Sequence, residues 1–518
     1  MSSEQKIYND LYRSIIVDEK VMFLGQILRR AAKKHPRRVA LIYRGRHVSY
    51  RELYYYACKC SKAVRSKGVK KGDRVLLFFE NSIEFYVGYF GILQAGAVVV
   101  PLNTFLKEHE LIHIIEDAQP SLFISSVKLL GQIKYHNIKN LPPVLTENDL
   151  LTEGKVPKEF VDEKIDALPF EEMAVLLYTS GTTGMPKGVM LSSKNAITNV
   201  IQIIARFGLV GYERGFAVLP LFHSFAQSTC VWSLIMMFCT AIVVPRIDRR
   251  AMLEGLKYDP TIFLGVPALY GVLCLMGNAP LESVKYFFSG GDALPDKIRS
   301  AFSLVYRRKI CSGYGLTETS PVISVEMDDV IEATGTVGKP LIGVNVAIKD
   351  QDGKDLGCEQ IGEIWVSGDN VMLGYYRAPE LTNDVLKNNW LRTGDLGYFD
   401  KKGKLVISGR IKDLIIHKGL NIYPQEIENI ILTHPQAIFV GVIGEKDDLG
   451  GEVPVAYVQL KEQVINIEKK LRDLCMQHLA AYKVPRQFVC GTERLSLTAT
   501  GKVDKKNLRI KHAKKEQK

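Results

Sequence analysis

No C-x-x-C pair occurs anywhere in the chain, and its nine cysteines are dispersed, with only Cys58 and Cys60 close together. An odd, scattered set of this kind argues against a disulfide framework and for reduced thiols in a cytosolic protein. The N-terminal MSSEQKIYNDLYRS is polar and lacks the apolar segment of a signal peptide. No G-x-S-x-G is present, so a serine-hydrolase reading has no nucleophile elbow. Zinc-finger and RNA-recognition signatures are missing too, which removes the usual support for nucleic-acid binding. Two uncharged stretches remain, 85–102 and 215–245, the second with His223 as its one ionisable group. Gly, Gln or Pro interrupts both, and a buried helix feeding a buried strand is expected of each rather than a membrane span.

What is present is a long, ordinary globular composition with an uneven charge. At 518 residues the chain exceeds what one core supports, so two or more domains are expected. The net charge of +12 is concentrated at the ends: residues 1–71 hold 18 Lys/Arg against 5 Asp/Glu, and residues 501–518 hold 8 against 2. Such ends suit an anionic membrane surface; a solvated lysine-rich face and a frayed tail explain them equally well. Helix and strand patterns alternate from VSYRELYYY (48–56) through RVLLFFE, AVVV, SLFIS (121–125), AIVV, TIFL and VKYFF (284–288). That alternation predicts mostly parallel α/β layers. After about residue 335, glycine-punctuated segments such as GEIWVSG and GKLVISG predict antiparallel strands, and from Arg410 a small α/β unit begins. The expected domains are 1–409 and 410–518.

The stretch LLYTSGTTGMPKGVM (176–190) is the most unusual text in the chain. Glycines let successive backbone N–H groups converge on a phosphate, hydroxyls add donors, and Lys187 adds positive charge. It is not a Walker A loop, because the position that needs glycine before the lysine holds Pro186. Tyr178 and Thr179 are placed directly after a strand. A triphosphate cradle of another design is favoured over a flexible turn.

This segment resembles the adenylate-forming superfamily, which includes acyl-CoA synthetases, amino-acid adenylation domains and firefly luciferase. YTSGTTGMPKG (178–188) is followed in the expected order by LPLFHSF (219–225), SGGDALP (289–295), GYGLTETSP (313–321), LRTGDLGYFD (391–400), GRIKDLIIHKGLNIYPQEIE (409–428) and TATGKVDKKNL (498–508). The match spans nearly the whole chain. It implies a large AMP-binding region of parallel α/β layers with a small antiparallel part, and a mobile small C-terminal α/β domain.

A carboxylate is a poor electrophile until it is joined to the α-phosphate of ATP, so the chemistry is chiefly alignment and charge neutralisation. The resemblance implies that Thr179, Ser180, Gly181, Thr182, Thr183, Gly184 and Lys187 hold the β- and γ-phosphates. Glu318, with the Thr179 hydroxyl, would hold Mg²⁺, and Thr317 would contact the α-phosphate. Tyr314 and Gly315, with the Gly290-Gly291-Asp292 turn, would frame adenine, while Asp395 and Arg410 would take the ribose. Lys502 is implied as the catalytic cation of adenylation, Lys412 as the hinge, and Lys418 and Gly419 as the lining of the coenzyme A approach. Upstream of Lys502 the family's usual Pro-basic pair is replaced by Ser496-Leu497.

His223, in LFHSF, is common in fatty-acyl and aryl-acyl CoA ligases and would act beside the acid. Gly265 and Gly290 would leave room for its chain. The apolar Ile416, where aryl-acid enzymes often carry lysine, tilts the expectation to a medium- or long-chain fatty acid activated with ATP, Mg²⁺ and coenzyme A. The alternatives are an acyl-AMP ligase serving a carrier protein, an aryl-acid CoA ligase, and a non-catalytic basic membrane-surface protein on the same scaffold. A cytoplasmic enzyme, peripheral at the inner face of a membrane or not, and a homodimer are both compatible with the sequence. One motif competes: HELIH (109–113) matches the zinc-protease pattern H-E-x-x-H. No third ligand is evident, and a solvated helix face is expected instead.

Overall fold

The computed structural model describes residues 2–133, 138, 140–150, 156–160, 162–163, 165–180, 185–209, 211–327, 335–417, 420–447, 451–497 and 503–516. Runs such as Val75-Leu76-Leu77 and Phe263-Leu264 are apolar on both faces, and they form fully buried strands. One seven-stranded sheet runs in the order 374–375, 186–192, 173–180, 98–101, 74–78, 122–125, 144–146. It is parallel from 173–180 outward and ends on its other side in an antiparallel hairpin. A nine-stranded sheet carries Ile262–Gly265 and Tyr286–Ser289 side by side in parallel, followed by Cys311–Gly315. The strands predicted around 74–80, 97–100, 121–125, 241–244, 261–264 and 284–288 all lie in these two sheets.

The stretch 85–102 resolves into helix Ile83–Gln94 and strand Val98–Pro101, with every residue of that strand buried. Ser82 caps the helix by accepting from the Phe85 N–H. The stretch 215–245 differs from expectation by one element: strand Arg214–Ala217 precedes the buried helical run 224–236, and strand Thr240–Val243 follows it. No helix among the described residues is long and apolar enough to cross a membrane.

The glycine-punctuated region forms a five-stranded antiparallel sheet in which Leu405–Arg410 pairs with Trp390–Phe399. A fourth sheet begins at Ile415 and closes its own core of Ile422, Ile427, Ile431, Val442 and Ala456 against helix Pro424–Thr433. This is the C-terminal α/β domain. Part of the basic N-terminal region is ion-paired on folding: Arg29 pairs with Asp162, Arg30 and Lys34 with Glu19, Lys62 with Glu163, and Arg65 with Asp166.

Candidate functional site

The phosphate-loop segment sits in a hairpin. Strand Met173–Ser180 extends through Tyr178 and Thr179, which the sequence placed after the strand, and the chain resumes as strand Pro186–Ser192. The register sets Thr179 opposite Lys187 and Tyr178 opposite Gly188. Gly181, Thr182, Thr183 and Gly184 lie outside the described residues. Gly188 is a packing requirement, because a Cβ there would stand 2.9 Å from Leu176 and 3.3 Å from the Tyr178 ring.

Lys187 Nζ donates to the Tyr375 hydroxyl at 2.6 Å and lies 3.8 Å from Glu318 Oε1. Tyr375 in turn donates to Glu318 Oε1 at 2.8 Å. Burial lowers the lysine's pKa and the Glu318 carboxylate opposes that shift. Thr179 Oγ1 is buried with no hydrogen-bond partner among the described residues. The orphaned Thr179 hydroxyl and the Glu318 carboxylate are both hard oxygen donors, of the kind that fits a Mg²⁺ ion taking its other ligands from phosphates and water.

Beyond Glu318 lie strand Cys311–Gly315 and the pairing of Asp395 with Arg410, the residues expected to take the nucleoside. Asp395 is 4% exposed; it accepts from the Tyr314 hydroxyl at 2.8 Å and pairs with Arg410 Nε at 3.0 Å. The nearby Asp395 carboxylate raises the Arg410 pKa, while burial and Asp395 together push the Tyr314 phenol well up. Gly315 has no alternative, since a Cβ would meet Pro321 O at 1.9 Å. Gly291, at φ +80°, takes the left-handed conformation that glycine tolerates best, and Asp292 Oδ1 accepts from the next N–H, closing the SGGD turn. Thr317 contacts Ser224 Oγ at 3.1 Å, which joins this corner to the LFHSF segment.

In that segment His223 Nδ1 accepts from the Phe225 N–H at 3.3 Å and caps the short helix that follows. With Nδ1 as acceptor, a neutral ring carries its proton on Nε2. Gly290 and Gly265 make room for aromatic rings instead of an open chain channel. A Cβ on Gly290 would meet Phe225 at 3.1 Å, and one on Gly265 would meet Tyr270 at 2.9 Å. A cavity of about 40 Å³ is lined by Phe207, Thr229, Ser233, Leu264, Tyr286 and Phe288 among others, with no charged side chain in its wall.

At the junction with the C-terminal domain, burial lowers the pKa of Lys412. Burial alone would raise Asp413, but Lys505, Arg509 and Lys412 hold it below its ordinary value, and Arg509 donates to it at 2.9 Å. Lys297 of the large region donates to the His434 carbonyl at 2.9 Å. Lys418, Gly419 and Lys502 lie outside the described residues. The chain flanking the last is paired, with Leu497 bridging Val503 and Asp504 N–H donating to Ser496 O at 2.8 Å. A proline at the Ser496-Leu497 step is therefore not required to bring the two arms together.

The profile described as AMP-binding enzyme matches residues 28–376, and that of the AMP-binding enzyme C-terminal domain matches 426–502. The chain belongs to the AMP-binding enzyme family. It is an acid–thiol ligase of the AMP-forming acyl-CoA synthetase type within the adenylate-forming superfamily. Among its relatives is a long-chain-fatty-acid–CoA ligase of Bacillus subtilis, 32% identical over 541 aligned positions that cover 96% of each chain. A feruloyl-CoA synthase of Amycolatopsis is 31% identical, covering 94% of this chain and 98% of that one. The o-succinylbenzoate coenzyme A synthetase of Bacillus subtilis, in complex with ATP and magnesium ion, superposes with a TM-score of 0.84 at 29% identity, covering 93% and 99%.

Two residues of this AMP-binding enzyme's site escaped the sequence reading. Tyr375 comes from a two-residue strand far along the chain, and its role follows only from the antiparallel pairing of Gly374–Tyr375 with Val189–Met190. Ser224 is inconspicuous beside His223. Its signal was available in principle, because a polar residue opening an otherwise apolar helical run needs a partner.

Proposed function

We propose that this AMP-binding enzyme activates a medium- to long-chain fatty acid as its acyl-AMP and passes the acyl group to coenzyme A. The observation that carries the acid class is the uncharged, apolar cavity lined by Phe207, Leu264 and Phe288, the last of which packs against Phe225. A hydrocarbon tail is at home there, whereas a second carboxylate would be buried without a partner at a cost of several kcal/mol. The exposed, apolar Ile416 supports the same choice.

In the first half-reaction a carboxylate oxygen attacks the α-phosphorus and the bond to pyrophosphate breaks. Lys187 and the backbone around it hold the β- and γ-phosphates, Thr317 the α-phosphate, and Lys502 neutralises the charge shared by carboxylate and phosphate. Glu318 and Thr179 would hold Mg²⁺, which would supply positive charge to screen the polyphosphate. Asp395 accepts from the ribose hydroxyls with Arg410 beside it, and adenine lies between Tyr314 and the Gly290–Asp292 turn. His223 presents its Nε2–H towards the acid. In the second half-reaction the coenzyme A thiolate attacks the acyl carbon, AMP leaves, and the thiol proton passes to solvent. We divide the chain at 409/410, with Lys412 as the hinge and Lys418 and Gly419 on the coenzyme A path; the charged Lys412–Asp413–Arg509 cluster at this point supports a junction that has to re-form its contacts when the small domain turns.

Pyrophosphate exchange measured with octanoate, palmitate, ferulate and 2-succinylbenzoate tests the acid. Exchange with a fatty acid is expected to exceed that with 2-succinylbenzoate by roughly a hundredfold or more, the scale of one unpaired buried charge. Adding coenzyme A is expected to convert exchange into AMP and acyl-CoA. Preference for ferulate would replace the fatty acid by an aryl acid, and exchange without any thioester would point to a carrier-protein acceptor.

A further inference from the structure

The H-E-x-x-H helix turns His109 to solvent while His113 is half-buried, and among the described residues no group of three or more His, Cys, Asp or Glu side chains is placed to hold a metal. Glu110 takes the Lys107 N–H at 2.9 Å and so caps its own helix, Glu108–Ala118. His113, one turn on, places Nε2 2.9 Å from the Pro186 carbonyl, the first residue of the strand that carries Lys187. One further turn along the same face, Asp117 Oδ2 accepts from the hydroxyl of Tyr178, which lies on the opposite strand of the hairpin. Burial pushes the Tyr178 phenol far up, so it stays a donor at any working pH. Arg377 closes the arrangement, donating to the Asp117 carbonyl at 3.2 Å and to Gln119 Oε1 at 2.7 Å.

The need for such a contact follows from sheet geometry. Tyr375 pairs with Val189, and the Tyr376 N–H donates to Gly188 O. Before Gly188 the neighbouring strand has ended, so among the described residues the outer edge of Pro186-Lys187 has no ladder partner on that side. His113 supplies the bond the missing strand would have made. We propose that His113 and Asp117 are positioning residues that hold the two stems of the phosphate segment at the separation ATP requires. Each grips one stem: Pro186 through its carbonyl, Tyr178 through its hydroxyl. The inference rests on the proposed phosphate-binding role of 179–187.

The test compares Mg-ATP affinity by calorimetry with the rate at which preformed acyl-AMP is converted to acyl-CoA. The second step involves neither β- nor γ-phosphate, so it reports on the rest of the fold. His113→Leu, which keeps bulk and removes the donor, is expected to weaken Mg-ATP binding about tenfold, the scale of one lost buried hydrogen bond. Thioester formation from acyl-AMP should stay within about twofold of wild type, and His113→Gln, whose amide can still donate, should restore most of the affinity. Should His113→Leu fail to fold, Tyr178→Phe removes a single hydroxyl and decides the same question with the same two readouts. Unchanged ATP affinity, equal loss in both measurements, or no recovery in His113→Gln would overturn the proposal. Wild-type protein that binds no Mg-ATP would instead overturn the phosphate-segment reading beneath it.

Discussion

Asp395→Ala is expected to lower kcat/KM for ATP in the adenylation step by about a hundredfold. The side chain is almost wholly enclosed and accepts from two donors at once, Tyr314 and Arg410. Removing it strands both and deletes the acceptor proposed for the ribose hydroxyls. Breaking a buried charged pair costs about 3–5 kcal/mol, or roughly two to four orders of magnitude in an equilibrium. The Arg410 side chain is 44% exposed, so water recovers part of that loss, and the lower end of the range applies. Asp395→Asn keeps an acceptor for Tyr314 and turns the interaction with Arg410 unfavourable, so its defect should fall between wild type and alanine. Steady-state kinetics against ATP at saturating acid measures both. A change below about fivefold in the alanine variant would show that the carboxylate serves only the turn.

Lys502→Ala is expected to split the two half-reactions. Adenylation should fall by about 10²–10³, the usual scale for removing one preorganised charge at a developing anion. Conversion of preformed acyl-AMP to acyl-CoA should remain within about twofold, because the lysine is assigned to the carboxylate and α-phosphate and not to the thiol. Exchange of labelled pyrophosphate measures the first half, and thioester release from synthetic acyl-AMP the second. Equal loss in both would remove the assignment. Leu497 pairs with Val503, so the two flanks are joined without the proline the family usually carries.

Much of this was readable from the sequence because the signals were local. Runs such as VVV at 98–100 and LFI at 122–124 are apolar on both faces, a pattern that parallel strands need and few other elements do. Asp395 and Arg410 were named from two separate motifs, and the antiparallel register sets them opposite one another. The cradle of Lys187 was legible in composition, but the hairpin was not, since its second strand begins at a proline that reads as a stop. Gly265 and Gly290 were read as vacancies for an acyl chain; Tyr270 and Phe225 fill those spaces, a packing outcome that no single-residue argument reaches. The same holds for Tyr375 and His113, whose partners are 188 and 73 positions away along the chain. Sequence periodicity finds elements; it does not say which edge of a sheet is left bare and what comes to cover it.

The central claim is that the hairpin strands 173–180 and 186–192 grip the polyphosphate of ATP. A crystal structure with Mg²⁺ and a non-hydrolysable ATP analogue tests it most directly. The account predicts the β- and γ-phosphates against Lys187 and the 179–184 backbone, the metal on Glu318, and the ribose on Asp395. A nucleotide bound elsewhere, or none at all at saturating concentration, would contradict it.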